Sequence, residues 1–148
     1  MSIRPIAAAA LAAALAACTG SPIGEDREER RIGILRLYRT DPPVALAAPD
    51  TVRAGVDFQV TATTLGGGCE RAGETEAQVG GGVAVVTPYD YTELGVDCPD
   101  ILRHLHHAAT LRFPAPGKAV VRVQGRRVGP DTPGEGVAHT VEKRIVVR

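Results

Sequence analysis

Short runs of alternating apolar and polar residues, cut every few positions by glycine or proline, constrain this chain more than any other feature. The clearest run is at 56–64, where Val56, Phe58, Val60, Ala62 and Thr64 alternate with Asp57, Gln59, Thr61 and Thr63. A period of two is the repeat of a strand with one face buried and the other wet. Ala54-Gly55 opens the run, and Gly66-Gly67-Gly68 closes it with Cys69 just beyond. Related runs lie at Ile32–Arg39, ended by Asp41-Pro42-Pro43, at 44–48, at Val83–Tyr91, at Ala119–Gln124 and at Val137–Val147. In the Val83–Tyr91 run, Val83, Val85, Thr87, Tyr89 and Tyr91 share a face, and Pro88 assigns the strand to a sheet edge or a bulge. Residues 70–82 are polar and glycine-rich, which predicts a loop with a weak strand near Glu76–Val79. Neither glycine triplet, at 66–68 or 80–82, leads into the Lys-Ser/Thr of a phosphate-binding loop, so both read as turns. In 101–113, Ile101, Leu105, Ala109, Leu111 and Phe113 share the odd-numbered face, interrupted by Arg103 and His107. The pattern predicts a turn or helical piece followed by a strand from Ala108. A helix over 100–109 capped by Asp100 is the alternative.

About seven short strands with almost no helical periodicity predict an all-β, antiparallel sandwich. Three pieces carry a resemblance: Pro49–Gly55 leading into the Phe58 strand, Leu111–Phe113 with Gly117–Val123, and the closing strand that ends Ile145-Val146-Val147. Together they resemble a bacterial immunoglobulin-like domain, which implies that fold for residues 32–148 and implies nothing about a ligand. The chain departs from antibody-type domains in having no tryptophan for the core.

The N-terminus is of another kind. Arg4 precedes an apolar run from Ile6 to Ala17, shorter than the ~20 residues of a membrane-spanning helix and suited to a secretory signal helix over 1–17. Leu15-Ala16-Ala17-Cys18 resembles the lipobox of bacterial lipoproteins. That resemblance implies cleavage before Cys18, a diacylglyceryl thioether on its sulfur and an acyl chain such as palmitate on its amino group. Two or three acyl chains anchor a protein to a membrane far more durably than one. Thr19 in place of Asp points to the outer membrane under the sorting pattern of enteric-type bacteria, with the domain facing the periplasm or the surface of the cell envelope. Residues 18–31, with the charge run EDREERR and only one aliphatic residue before it, read as a flexible tether. With Cys18 assigned to lipid, Cys69 and Cys98 form an even pair in an exported protein, which predicts a disulfide pinning loops at one end of the domain. A metal site and two free thiols are the alternatives.

Without residues 1–17 the chain has 16 Lys and Arg against 17 Asp and Glu, a balance that offers no electrostatic reason for nucleic acid as partner. Ser2 and Ser21 are the only serines, both outside the domain, and neither G-x-S-x-G nor H-E-x-x-H occurs, so the inventory argues against an enzyme. Two sets of residues remain as candidate sites. Tyr89 and Tyr91 share a face of an edge-like strand and suit contact with a partner, expected to be an envelope protein. His104, His106 and His107 define the alternative, a periplasmic metal-binding protein holding zinc or copper. On an extended chain His104 and His106 lie ~6.5–7 Å apart on one face, with His139, Asp97 or Asp100 to complete the site.

Overall fold

The structure, a computed structural model, describes residues 27–37 and 45–148; the lipobox, Cys18 and the signal segment lie outside the described residues. The described chain is all-β. Its strands are β1 (Glu28–Ile32), β2 (Ile34–Leu37), β3 (Leu46–Ala47), β4 (Thr51–Val52), β5 (Phe58–Gly66), β6 (Glu70–Gly80), β7 (Val83–Glu93), β8 (Arg103–Leu111), β9 (Gly117–Val128) and β10 (Val137–Val147).

All ten strands belong to one hydrogen-bonded sheet that curls around a single core. β9 pairs antiparallel with β10 along its whole length, from Gly117↔Val147 to Arg127↔Val137. Its other edge is shared. β7 runs parallel to its first half from Val83↔Val120 to Val86↔Val123, and β2 runs parallel to its end at Arg36↔Arg127 and Leu37↔Val128. β1 lies antiparallel along the second half of β7, from Ile32↔Tyr89 to Glu28↔Glu93. After Gly33 the same segment crosses to β9 and meets β5 at Ile34↔Leu65. β5 carries β8 on one edge and β3 on the other, and β4 lies parallel to the end of β10.

This arrangement corrects several expectations. The sheet is mixed, with parallel pairs β7–β9, β2–β9 and β4–β10, where a purely antiparallel arrangement of about seven strands was expected. Parallel neighbours are joined by long crossovers, so no turn motif in the sequence announces them. Residues 28–31, expected to end the tether, form β1 because their backbone pairs with the second half of β7, where Glu28 and Arg30 also meet opposite charges. Residues 70–80 form a full strand where a loop with only a weak strand near Glu76–Val79 was expected. Among the described residues β6 pairs only with β7, so its charged and glycine-rich composition suits an exposed edge and discourages further pairing. β8 begins at Arg103, five residues earlier than expected, and no helix occupies 100–109. β7 is not an edge strand, being flanked by β6 on one side and by β1 and β9 on the other. Pro88 is tolerated there beside the register shift between Ala72 and Thr75 of β6.

The core follows from the period of two. Val60 and Ala62 of β5 and Ala109 and Leu111 of β8 face Ala84 and Val86 of β7, Val121 and Val123 of β9, and Ile145 and Val147 of β10. Leu35 of β2 and Phe113 complete it, and the Phe113 ring stacks on Phe58 with centroids 5.9 Å apart. Fully burying such a side chain contributes about 1.5–3 kcal/mol. The β6–β7 hairpin closes on Gly81-Gly82, whose φ of 57° and 77° are those of a two-residue turn that only small or glycine-like residues accept without strain. At one end of the sheet the starts of β1, β6 and β8 meet the ends of β5 and β7, as the pairs Glu28↔Glu93, Glu70↔Thr92 and Gly66↔Arg103 require. Cys69 in the β5–β6 turn and Cys98 in the β7–β8 loop are bonded across this end, with Cα atoms 5.3 Å apart.

Candidate functional site: an arginine–tyrosine face and a buried polar trio

Because β7 alternates, Tyr89 and Tyr91 stand on the face opposite Ala84, Val86, Pro88 and Asp90. The flanking strands bring charge to them. Arg30 of β1 and Arg71 of β6 both lie opposite Tyr91, one on each side. The Arg30 guanidinium sits 3.4 Å from the centre of the Tyr89 ring, and that of Arg71 4.5 Å from the Tyr91 ring. Arg30 also donates to Glu74 and, at 2.8 Å, to Glu76, while Arg71 makes a two-pronged pair with Glu28 at 2.8 and 2.6 Å. The Arg71 fork holds the Glu28 carboxyl below the usual carboxylate range, and the hydrogen bond to Glu74 raises the Tyr91 hydroxyl above its ordinary value. These pairs are exposed and screened by water, so they add little to stability. Their larger effect is geometric, since the carboxylates hold both guanidinium groups over the rings. Tyrosine and arginine held rigidly at a surface are the residue types that dominate protein interfaces.

β8 decides the histidines. Its pleat puts His104 and His106 together on the exposed face and turns His107 to the interior, so the three expected ligands do not converge. His106 Nδ1 lies 3.3 Å from Thr63 Oγ1. His139 sits on β10 opposite Gly125 of β9, away from β8. Among the described residues no group of three His, Cys, Asp or Glu is placed to hold a metal.

His107 joins a trio that the sequence did not disclose. Its Nε2 lies 2.9 Å from Asp90 Oδ1 and 3.0 Å from Thr64 Oγ1, and Thr64 donates to the same Asp90 oxygen at 3.1 Å. All three side chains are buried, with Thr64 at 0%, His107 at 2% and Asp90 at 6% exposure. The available signal was three polar residues at inward positions of three strands, each flanked by apolar neighbours. A hydroxyl, an imidazole and a carboxylate invite comparison with a nucleophile triad, but the geometry differs. A relay needs the hydroxyl on one ring nitrogen and the carboxylate on the other. Here one nitrogen meets both, and Nδ1 is buried with no hydrogen-bond partner. The trio satisfies buried donors rather than passing protons. Gly33 lies against it, since a Cβ there would overlap the Thr64 methyl and sit 2.8 Å from Asp90 Oδ2.

At the opposite end an open recess of about 460 Å³ is lined by Val52, Arg53, Val56, Asp57, Phe58 and Arg148, among others. Those named residues supply no imidazole or thiol. Comparison of the chain with protein-family models, curated proteins and solved structures finds no match to any of them.

Proposed function

We propose that the protein is a lipoprotein of the bacterial cell envelope, anchored to a membrane by acylated Cys18, whose β domain is a non-catalytic binding or structural module. We read the curled sheet as an immunoglobulin-like sandwich, with β5 and β8 forming one wall and β7, β9 and β10 the other. The observation that carries the binding role is the outward face where the guanidinium groups of Arg30 and Arg71 sit over the rings of Tyr89 and Tyr91. Its five charged members are three carboxylates and two guanidinium groups, all already paired, so it suits a partner protein that exchanges these ion pairs for its own. Labelled palmitate should enter the full chain and be lost in Cys18→Ala. A photo-crosslinker at Glu76 should capture an envelope protein, and Arg30→Glu with Tyr91→Ala should abolish capture without unfolding the chain. Absence of acylation removes the anchor. Crosslinks that survive both face substitutions remove the interface.

The alternative, a metal-binding protein, reduces to His104 and His106, which the extended β8 holds on one exposed face. Titration of the purified chain with Zn²⁺ and Cu²⁺ tests it. Affinity unchanged in His104→Ala/His106→Ala would end that reading.

A further inference from the structure

The loop between β7 and β8 carries an unusual share of exposed apolar surface. Leu94, Val96, Ile101 and Leu102 are 45%, 40%, 54% and 49% exposed, and they are half of the eight large apolar side chains left open among the described residues. The loop is nonetheless held in place. Cys98 is bonded to Cys69, the Glu93 amide donates to the Cys69 carbonyl at 3.2 Å, and Pro99 packs so closely on Gly68 that a Cβ there would lie 2.6 Å from the Pro99 oxygen. Apolar groups held out into water at a fixed place mark a contact surface.

What they contact follows from where the chain enters. The Leu94 amide donates to the carbonyl of Arg27, so the described chain begins beside this loop, at the end where β1, β6 and β8 start. Cys18 lies nine residues before Arg27, a span of at most about 30 Å of extended chain. We infer that the Leu94–Leu102 loop rests on the lipid surface to which Cys18 is anchored, making a second, non-covalent contact that orients the domain. The inference rests on the anchored-lipoprotein reading. Four partly exposed aliphatic side chains bind a bilayer weakly in free solution, but a short tether turns that encounter into an intramolecular one at millimolar effective concentration. Residues 94–102 contain Asp97 and Asp100 and no Lys or Arg, so the contact suits zwitterionic lipid rather than an anionic surface. Docked this way, the domain turns its far end, with the β8–β9 turn, away from the membrane.

The chain contains no tryptophan, so one substitution supplies a clean reporter. The full acylated protein is reconstituted into phosphatidylcholine vesicles as Val96→Trp or Leu102→Trp, with Ala115→Trp in the β8–β9 turn as the distal control. Lipid brominated on its acyl chains should quench the two loop reporters at least twofold more than the control and shift their emission to the blue. Equal quenching at the loop and at position 115 in vesicle-bound protein overturns the inference and leaves the anchor standing. A blue shift without bromine quenching also overturns it, in favour of a protein covering the loop. Mass spectrometry of the reconstituted chain separates these results from failure of the anchor itself, since a chain without acyl mass at Cys18 sinks both.

Discussion

Replacing Asp90 by Ala should destabilise the protein far more than its single charge suggests. Asp90 Oδ1 accepts from Thr64 at 3.1 Å and from His107 at 2.9 Å, and both donors are 2% exposed or less. Each hydrogen bond to a charged group contributes about 1.5–3 kcal/mol, and a buried donor left unpaired costs about 1–3 kcal/mol. The 3.0 Å contact between Thr64 and His107 survives and rescues one donor, so the expected loss is about 3–4 kcal/mol. With a guanidinium m-value of roughly 4 kcal/mol/M, the unfolding midpoint should fall by about 1 M. Far-UV circular dichroism of the oxidised chain reads this directly. Asp90→Asn keeps an acceptor in place and should lose only about 1–2 kcal/mol. Thr64→Val/Asp90→Leu/His107→Leu removes all the polar groups together and should cost less than Asp90→Ala alone. The reasoning fails if Asp90→Ala stays within about 1 kcal/mol of the parent, or if the triple variant is the least stable of the set.

Gly33→Ala should cost about 2–4 kcal/mol through overlap with the Thr64 methyl, and adding Thr64→Ser, which deletes that methyl, should recover part of the loss in the same titration. Cys69→Ala/Cys98→Ala opens a loop of 29 residues and should lose about 3–4 kcal/mol, seen as a melting temperature lower by about 10 °C or more. Glu28 and Asp57 both have folded pKa values lowered by hydrogen bonds, from Arg71 and Arg112 respectively. A lowered folded value contributes stability that is present above the unfolded pKa, about 4, and lost as pH falls through the folded value. Melting temperature should therefore decline below pH 4, slightly because both pairs are exposed, and Arg71→Gln/Arg112→Gln should flatten that decline.

Much of the fold was legible where the alternation is strict. Val60, Ala62 and Thr64 face inward as expected, β10 spans Val137–Val147 as the pattern predicted, and Phe58 and Phe113 meet in the core. Of β6 only the stretch near Glu76–Val79 was expected, because glycine and charge read as loop, yet an edge strand needs no apolar side chains to hydrogen-bond with its neighbour. The start of β8 was missed because Arg103 and His107 broke the apolar face. Arg103 is satisfied by the Glu70 carbonyl and His107 by Asp90, partners that lie 33 and 17 positions away in the chain. The tyrosine pair was assigned correctly to one face; of the two placements that Pro88 allows, the bulge is met by the register shift beside it and the sheet edge is not, since nothing local to β7 reveals that β1 and β9 take up its second side.

By itself the sequence determined the all-β character, the inward residues Val60, Ala62 and Thr64 of β5 and Leu105, Ala109 and Leu111 of β8, the glycine turns and the pairing of Cys69 with Cys98. These are local properties, since side-chain period and turn chemistry operate over a few residues. Tertiary structure alone decided the parallel pairings, the convergence of Thr64, Asp90 and His107, the stacking of Arg30 and Arg71 on the tyrosines, and the entry of the chain beside the Leu94–Leu102 loop. The physical reason is that a buried polar group or an unpaired strand edge requires a partner, and here the partners come from strands distant in sequence.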